Sequence, residues 1–379
     1  MRSRRVLFVI SLMFLLFYIG DRSGVKMPGW SKKIVKDSSY EYSKENTHNC
    51  HDRHRARPAG HRLSVLQRAK IEDVRTEPFP HITIKDALPE PIYTSLERHF
   101  FSDFEIVAET TGSLTQKMRS NYRYAVKADA LLGLKQSKIK KVQPIIREFA
   151  RYHTSAEFVK EVLWLFQMKL EDYRPDLLQK LQNNSMKISA GPEKTNSKNL
   201  FRTDMEMVIN SPVFDSPSSV RGYHHDKLNE IYAGLLYMRK KEDKTPGGDF
   251  QILRCKRECR KVPDNEEIKK KLGIAPVGRH EQYDPKTLQL DSEVKYGRNT
   301  LAMFINSPVS VHAVSSRPIT KFSRRYINLN ADFRTKASEI VKEENCFRSG
   351  EGFSCRPNND VSEINMNSNM LNIYEGNEC

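Results

Sequence analysis

The first alternation along the chain falls at His81-Ile82-Thr83-Ile84, directly after Pro78-Phe79-Pro80, and predicts a short strand. From Asp86 to Phe101 the period lengthens. Ile92, Leu96 and Phe100 recur one turn apart, as on a helix face. Thr154-Ser155-Ala156-Glu157 resembles a capping box, and Phe158, Val162, Leu165 and Phe166 behind it form the stripe of an amphipathic helix. Residues 183–199 are rich in Asn, Ser and Lys and read as a loop. Beyond 201 the pattern changes to short apolar or β-branched runs at 205–209, 233–238, 249–253, 300–305, 309–314 and 325–330. Short strands without long helices between them predict an antiparallel sandwich or jelly roll, in a chain that is mainly β with flanking helices (α+β). The stretch 254–298 is long and charged for a strand connection and reads as a functional loop or insert.

The ends of the chain follow other rules. Arg2, Arg4 and Arg5 precede an apolar run over residues 6–20. The run is long for a signal peptide and short of the roughly 20 residues of a membrane span. Tyr18 and Ile19 sit where a cleavage site needs small residues. The expectation is therefore a signal anchor within 1–20, a flexible basic stem over 21–76, a folded domain over 77–335 and a tail over 336–379. That arrangement predicts a single-pass membrane protein of the endoplasmic reticulum or Golgi with a lumenal domain, or else a secreted one.

Composition adds little to this. The 379 residues are 38% hydrophobic and carry a net charge of +16, which allows one large domain with extensions and an anionic partner. No basic motif interleaved with aromatics is present, so nucleic acid is not expected. The six cysteines agree with an oxidising compartment. Local bridges Cys255–Cys259 and Cys346–Cys355 are both feasible, with zinc on Cys255 and Cys259 as an alternative. Asn183-Asn184-Ser185 is a glycosylation sequon.

The strongest chemical signal is His224-His225-Asp226 with the distant His312. On a strand, His224 and Asp226 point one way and His225 the other. With His312 they would supply two imidazoles and one carboxylate to one face of a metal, which suits non-haem Fe(II) with open coordination positions.

Six segments in order carry a family likeness: Arg221-Gly222-Tyr223-His224-His225-Asp226, Leu235-Leu236-Tyr237-Met238, Gly247-Gly248-Asp249-Phe250, Asn299-Thr300-Leu301-Ala302-Met303-Phe304, Val311-His312-Ala313-Val314 and Arg324-Arg325-Tyr326. Together they resemble the Fe(II)/2-oxoglutarate-dependent oxygenase superfamily, in the branch of prolyl 4-hydroxylase-like domains. The motif-bearing part spans 205–335, and Pro78-Phe79-Pro80-His81 extends the likeness to 78. The resemblance implies a double-stranded β-helix, Fe(II) on His224, Asp226 and His312, and dioxygen and 2-oxoglutarate as co-substrates. It also implies an arginine for the distal carboxylate of 2-oxoglutarate, since a guanidinium is a planar, permanently charged, bidentate donor. Arg325 is the first choice because it directly precedes Tyr326, and Arg324 is the second. Tyr237 is similar to a family tyrosine that reaches the same carboxylate. The arginine where prolyl hydroxylases commonly place lysine, and the long 254–298 connection, set the chain apart from that pattern. The expected substrate is a protein side chain, a glycan or another secretory-pathway molecule. A catalytically silent jelly-roll binding module is the alternative. Oligomeric state is not readable.

Overall fold

The computed structural model describes residue 58 and residues 60–112, 119–133, 136–183, 188–192, 199–256, 259–263, 267, 282–335, 340–342, 346–349 and 352–355. The strands in chain order are β1 (His81–Lys85), β2 (Arg123–Lys127), β3 (Ala190–Gly191), β4 (Phe201–Asn210), β5 (Glu230–Tyr237), β6 (Phe250–Cys255), β7 (Lys261–Val262), β8 (Gln282–Tyr283), β9 (Leu288–Val294), β10 (Thr300–Ile305), β11 (His312–Val314), β12 (Arg324–Phe333), β13 (Cys346–Ser349) and β14 (Gly352–Cys355). The helices are α1 (Glu90–Thr111), α2 (Ala128–Leu132), α3 (Gln136–Ile139), α4 (Pro144–His153), α5 (Ala156–Tyr173) and α6 (Pro175–Asn183).

The large sheet runs β1-β10-β5-β12-β4-β2, every neighbour antiparallel, with β3 parallel beside β4. A second sheet of β11-β6-β9 lies against one half of it. This is the expected jelly-roll core, a double-stranded β-helix with flanking helices. The outer face of the large sheet is apolar. Met205, Met207, Ile327 and Leu329 pack there against Leu96 and Phe100 of α1, Phe149 of α4, and Phe158, Val162, Leu165 and Phe166 of α5. The α5 stripe thus has the core role its spacing predicts. Its N-cap is Ser155, whose hydroxyl accepts from the Phe158 N–H, while Thr154 turns back to close α4 on the Ala150 carbonyl. Helix α1 begins later than its pattern suggests, after Pro89, because Asp86 takes a positive φ of 52°.

Two expectations need correction, the stem boundary and the membrane anchor, while both local cysteine bridges are present. Order begins before Pro78: Leu63, Val65, Leu66 and Ala69 are buried in the helix-side core, so the flexible stem does not continue through residues 60–76. The tail carries the β13–β14 hairpin, in which Cys346 and Cys355 are bonded. Cys255 is bonded to Cys259, which removes both as zinc ligands. Among the described residues no helix is long and apolar enough to cross a membrane. The longest, α1, carries Glu90, Glu97, Arg98, Asp103 and Glu105. The run over residues 6–20 lies outside the described residues, and the single-pass membrane placement with a lumenal domain is therefore withdrawn.

Candidate metal centre

Two distant segments meet as a single antiparallel bridge between His224 and His312. The His224 N–H donates to the His312 carbonyl at 3.0 Å, and the His312 N–H returns to the His224 carbonyl at 2.8 Å. Backbone pairing, not side-chain packing, thus fixes the distance between the two imidazoles, whose centroids are 4.3 Å apart. Asp226 completes the group: Oδ1 lies 3.6 Å from His224 Nε2 and Oδ2 lies 3.5 Å from His312 Nε2. One ligand atom from each of the three lies within 4.8 Å of the others. His225 turns away, its ring 5.8 Å from that of Tyr283.

The backbone fixes the ring orientation of both histidines. His224 Nδ1 sits 2.7 Å from the Gly222 carbonyl and His312 Nδ1 sits 2.8 Å from the Ser310 carbonyl. Each Nδ1–H therefore donates to backbone, and the Nε2 lone pair is left toward Asp226. Burial lowers the pKa of His224 to about 3, helped by its His312 and Arg221 neighbours. Burial likewise lowers that of His312. Burial pushes the Asp226 carboxyl upward, but His312, His224 and Arg221 outweigh it and hold the group well below the usual carboxylate range. Two neutral imidazoles and one anionic carboxylate form the donor set that a divalent ion requires.

Arg221 occupies part of this space. Its Nε donates to His224 Nε2 at 2.8 Å and a terminal nitrogen reaches Asp226 Oδ1 at 3.3 Å. The guanidinium uses the lone pairs that a metal would take, so metal binding requires it to withdraw from His224. Sequence reading placed Arg221 in a motif without giving it this position.

The second group lies at the far end of β12. Strand register decides which arginine faces the interior. Arg324 pairs with Asn210, and Tyr326 pairs with both Val208 and Tyr237. Directly paired residues share a face, so Arg324, Asn210, Tyr326 and Tyr237 all line the jelly-roll interior. Arg325 is on the opposite face, its guanidinium carbon 5.8 Å from the Phe100 ring centroid in the helix layer. The order of preference between the two arginines is thereby reversed. Arg324 stacks over Tyr326 at 4.5 Å and Tyr237 at 5.2 Å, with a terminal nitrogen 3.5 Å from the Tyr237 hydroxyl. Its Nε donates to the Gly248 carbonyl at 2.8 Å. The Gly247-Gly248 pair makes this approach possible. Both glycines have positive φ; a Cβ on Gly248 would lie 3.0 Å from Arg324 Cδ, and one on Gly247 would strike the Ser316 carbonyl oxygen of the neighbouring backbone.

The chemistry of this pocket fits a carboxylate. The buried Asn210 Nδ2 has no hydrogen-bond partner, while Asn210 Oδ1 accepts from Arg324 at 3.3 Å. Burial pushes the Tyr237 hydroxyl up to about 12, with Arg324 pulling it back, so it remains a donor. An orphan amide N–H, a phenol and a guanidinium converge on one place.

No family model and no curated protein matches the chain. The structure's neighbours are prolyl 4-hydroxylases and other Fe(II)/2-oxoglutarate-dependent oxygenases. A prolyl 4-hydroxylase from Phytophthora capsici is 12% identical, with 78% of this chain and 69% of that one covered and a TM-score of 0.37. A prolyl-4-hydroxylase from Pseudomonas putida is also 12% identical, covering 71% and 100% at a TM-score of 0.32. A non-haem α-ketoglutarate-dependent carbocyclase of nogalamycin biosynthesis is 11% identical, covering 67% and 80% at 0.36. Overlaps of this size leave the argument to the chain's own strand order and ligand geometry.

Proposed function

We propose that this protein is an Fe(II)- and 2-oxoglutarate-dependent dioxygenase that hydroxylates a protein side chain, a glycan or a related molecule. The observation that carries this is the triad: His224, Asp226 and His312 within 4.8 Å, tautomers set, on a jelly-roll interior that also holds Arg324. His224, Asp226 and His312 hold the metal and leave positions open for a co-substrate. Arg324, with Tyr237 and Asn210, takes the distal carboxylate of 2-oxoglutarate. Bound iron with 2-oxoglutarate supplies the oxidation of a C–H bond by dioxygen, with succinate and carbon dioxide released. Phe250 and Phe304 flank the His312 ring at 5.3 and 4.8 Å and exclude water from that side. Anaerobic titration of Fe(II) into the protein with 2-oxoglutarate should give a weak visible charge-transfer band, followed by succinate under air. Absence of both in the wild-type protein would refute the assignment.

A jelly-roll binding module without catalysis is the second reading, and Arg221 favours it, since its guanidinium already neutralises the carboxylate that iron would need. Fe(II) failing to bind the wild type while binding Arg221→Ala would select that reading.

A further inference from the structure

The inner face of the large sheet is divided. Over β10 and β5 it carries Phe304, Ala302 and Ala233, covered by Phe250 and Ile252 of the small sheet. Over β12, β4 and β2 the apolar Val208 and Ala125 are followed by a charged strip. Register sets Asn328 beside Glu206 and Glu206 beside Lys127, then Asn330 beside Asp204, then Asp332 beside Arg202. Arg123 reaches Glu206 at 2.5 Å and the Tyr326 hydroxyl at 3.3 Å. Asn328 Nδ2 donates to the same Glu206 at 3.1 Å, Lys127 lies 3.2 Å from Asp204, and Arg202 pairs with Asp332. Side-chain exposure is 40% for Arg123 and 59% for Lys127 against 9% for Glu206, so water enters over the cations and the carboxylate lies at the bottom. Glu230 stands opposite Asp332 on β5, one short turn of chain beyond Asp226.

Ion pairs with buried carboxylates stabilise little over apolar side chains of the same volume, so the fold does not account for a charged lining on an inner face. The lining has definite chemistry. Its cations stand opposite carboxylates, which leaves no excess of one sign for an ionic ligand. Donors and acceptors alternate within a few ångströms, and the carboxylates keep spare lone pairs. A hydroxyl both donates and accepts, and adjacent hydroxyls on one ring offer the matching alternation.

We propose that this strip is the substrate subsite and that it takes the hydroxyls of a glycosyl or other polyol group. The inference rests on the oxygenase reading for its chemistry, but its binding test does not. Full-length protein with Fe(II) is applied to a printed array of defined neutral and acidic oligosaccharides, beside an array of unmodified and proline-rich peptides. The expected result is binding to neutral oligosaccharides, competed by the matching free monosaccharide. That binding should weaken at least tenfold in Glu206→Gln, which keeps shape and removes charge, and in Asn328→Ala, which removes one donor if Glu206→Gln fails to fold. Melting temperatures identify the folded variants. An array without bound oligosaccharide, binding confined to acidic oligosaccharides or peptides, or undiminished binding by the folded variants overturns the proposal. Succinate release by the wild type reads the oxygenase assignment separately. Glycan bound without succinate leaves the subsite and removes the oxygenase; succinate without glycan does the reverse.

Discussion

The two faces of β12 and β4 share a backbone and differ in everything else. Outward, Ile327, Leu329 and Phe333 meet Met205, Met207 and Phe201 in the helix-side core. Inward, Arg324, Tyr326 and Asn328 meet Asn210, Val208 and Glu206. The alternation is that of a strand with one apolar and one wet side, but here the wet side faces into the jelly roll. The outward face packs the helix-side core, and the inward face lines the proposed co-substrate pocket. Substitutions on the two sides should therefore separate stability from activity, even for adjacent residues.

The largest effect is expected inside. Asp226→Ala should cut succinate formation at least about 10³-fold, the several kcal/mol that a bound metal supplies. Its melting temperature should stay near that of the wild type. A large drop in melting temperature would mean that the triad is also a structural clasp. Next comes the outward face: Leu329→Ala should cost about 2–5 kcal/mol in denaturant unfolding, as buried leucines do. A cost below about 1 kcal/mol would show that the helix layer packs loosely there. The adjacent arginines then sharpen the contrast. Arg324→Gln should raise the KM for 2-oxoglutarate by about 10- to 100-fold, as loss of a charge-assisted bond predicts. Arg325→Gln should leave it within about twofold, and the opposite pattern would restore Arg325 as the co-substrate arginine.

The last prediction concerns acid. His153 lies in the helix layer, its Nδ1 2.9 Å from the Phe149 carbonyl and its Nε2 accepting from the Val65 N–H. Burial lowers its pKa to about 3 from 6.5. The folded state thus binds the proton more weakly than the unfolded chain. Its contribution to stability is complete above pH 6.5 and is lost as pH falls toward 3, by up to about 1.4 kcal/mol per pH unit. In His153→Gln the unfolding free energy should fall less steeply over that window; an unchanged slope would place the acid sensitivity elsewhere.

Much of this arrangement could be read from the residues alone. The runs at 205–209, 233–238, 249–253 and 300–305 fall within or largely within β4, β5, β6 and β10, because alternating or continuous apolar residues mark them. The three residues of the triad come together as their types suggested. What failed were choices that tertiary register makes. Arg324 and Arg325 are neighbours of one type, and nothing local sets the phase of a period-two pattern. Strand β9 was hidden in a connection because Gln289, Asp291 and Glu293 give it a charged surface. Strand β2 was missed because Arg123 and Lys127 flank only three apolar residues. The polar strip had no signal in one dimension, since its partners come from three separated strands.

The reciprocal pairing of His224 and His312 makes the centre a socket whose width is cut into the main chain. Other donors could be fitted at 224 and 312, a cysteine or a glutamate for an imidazole, with their α-carbons still held as a facing pair. Retuning such a protein for a softer or harder ion is then a matter of changing the tips, with the frame left alone.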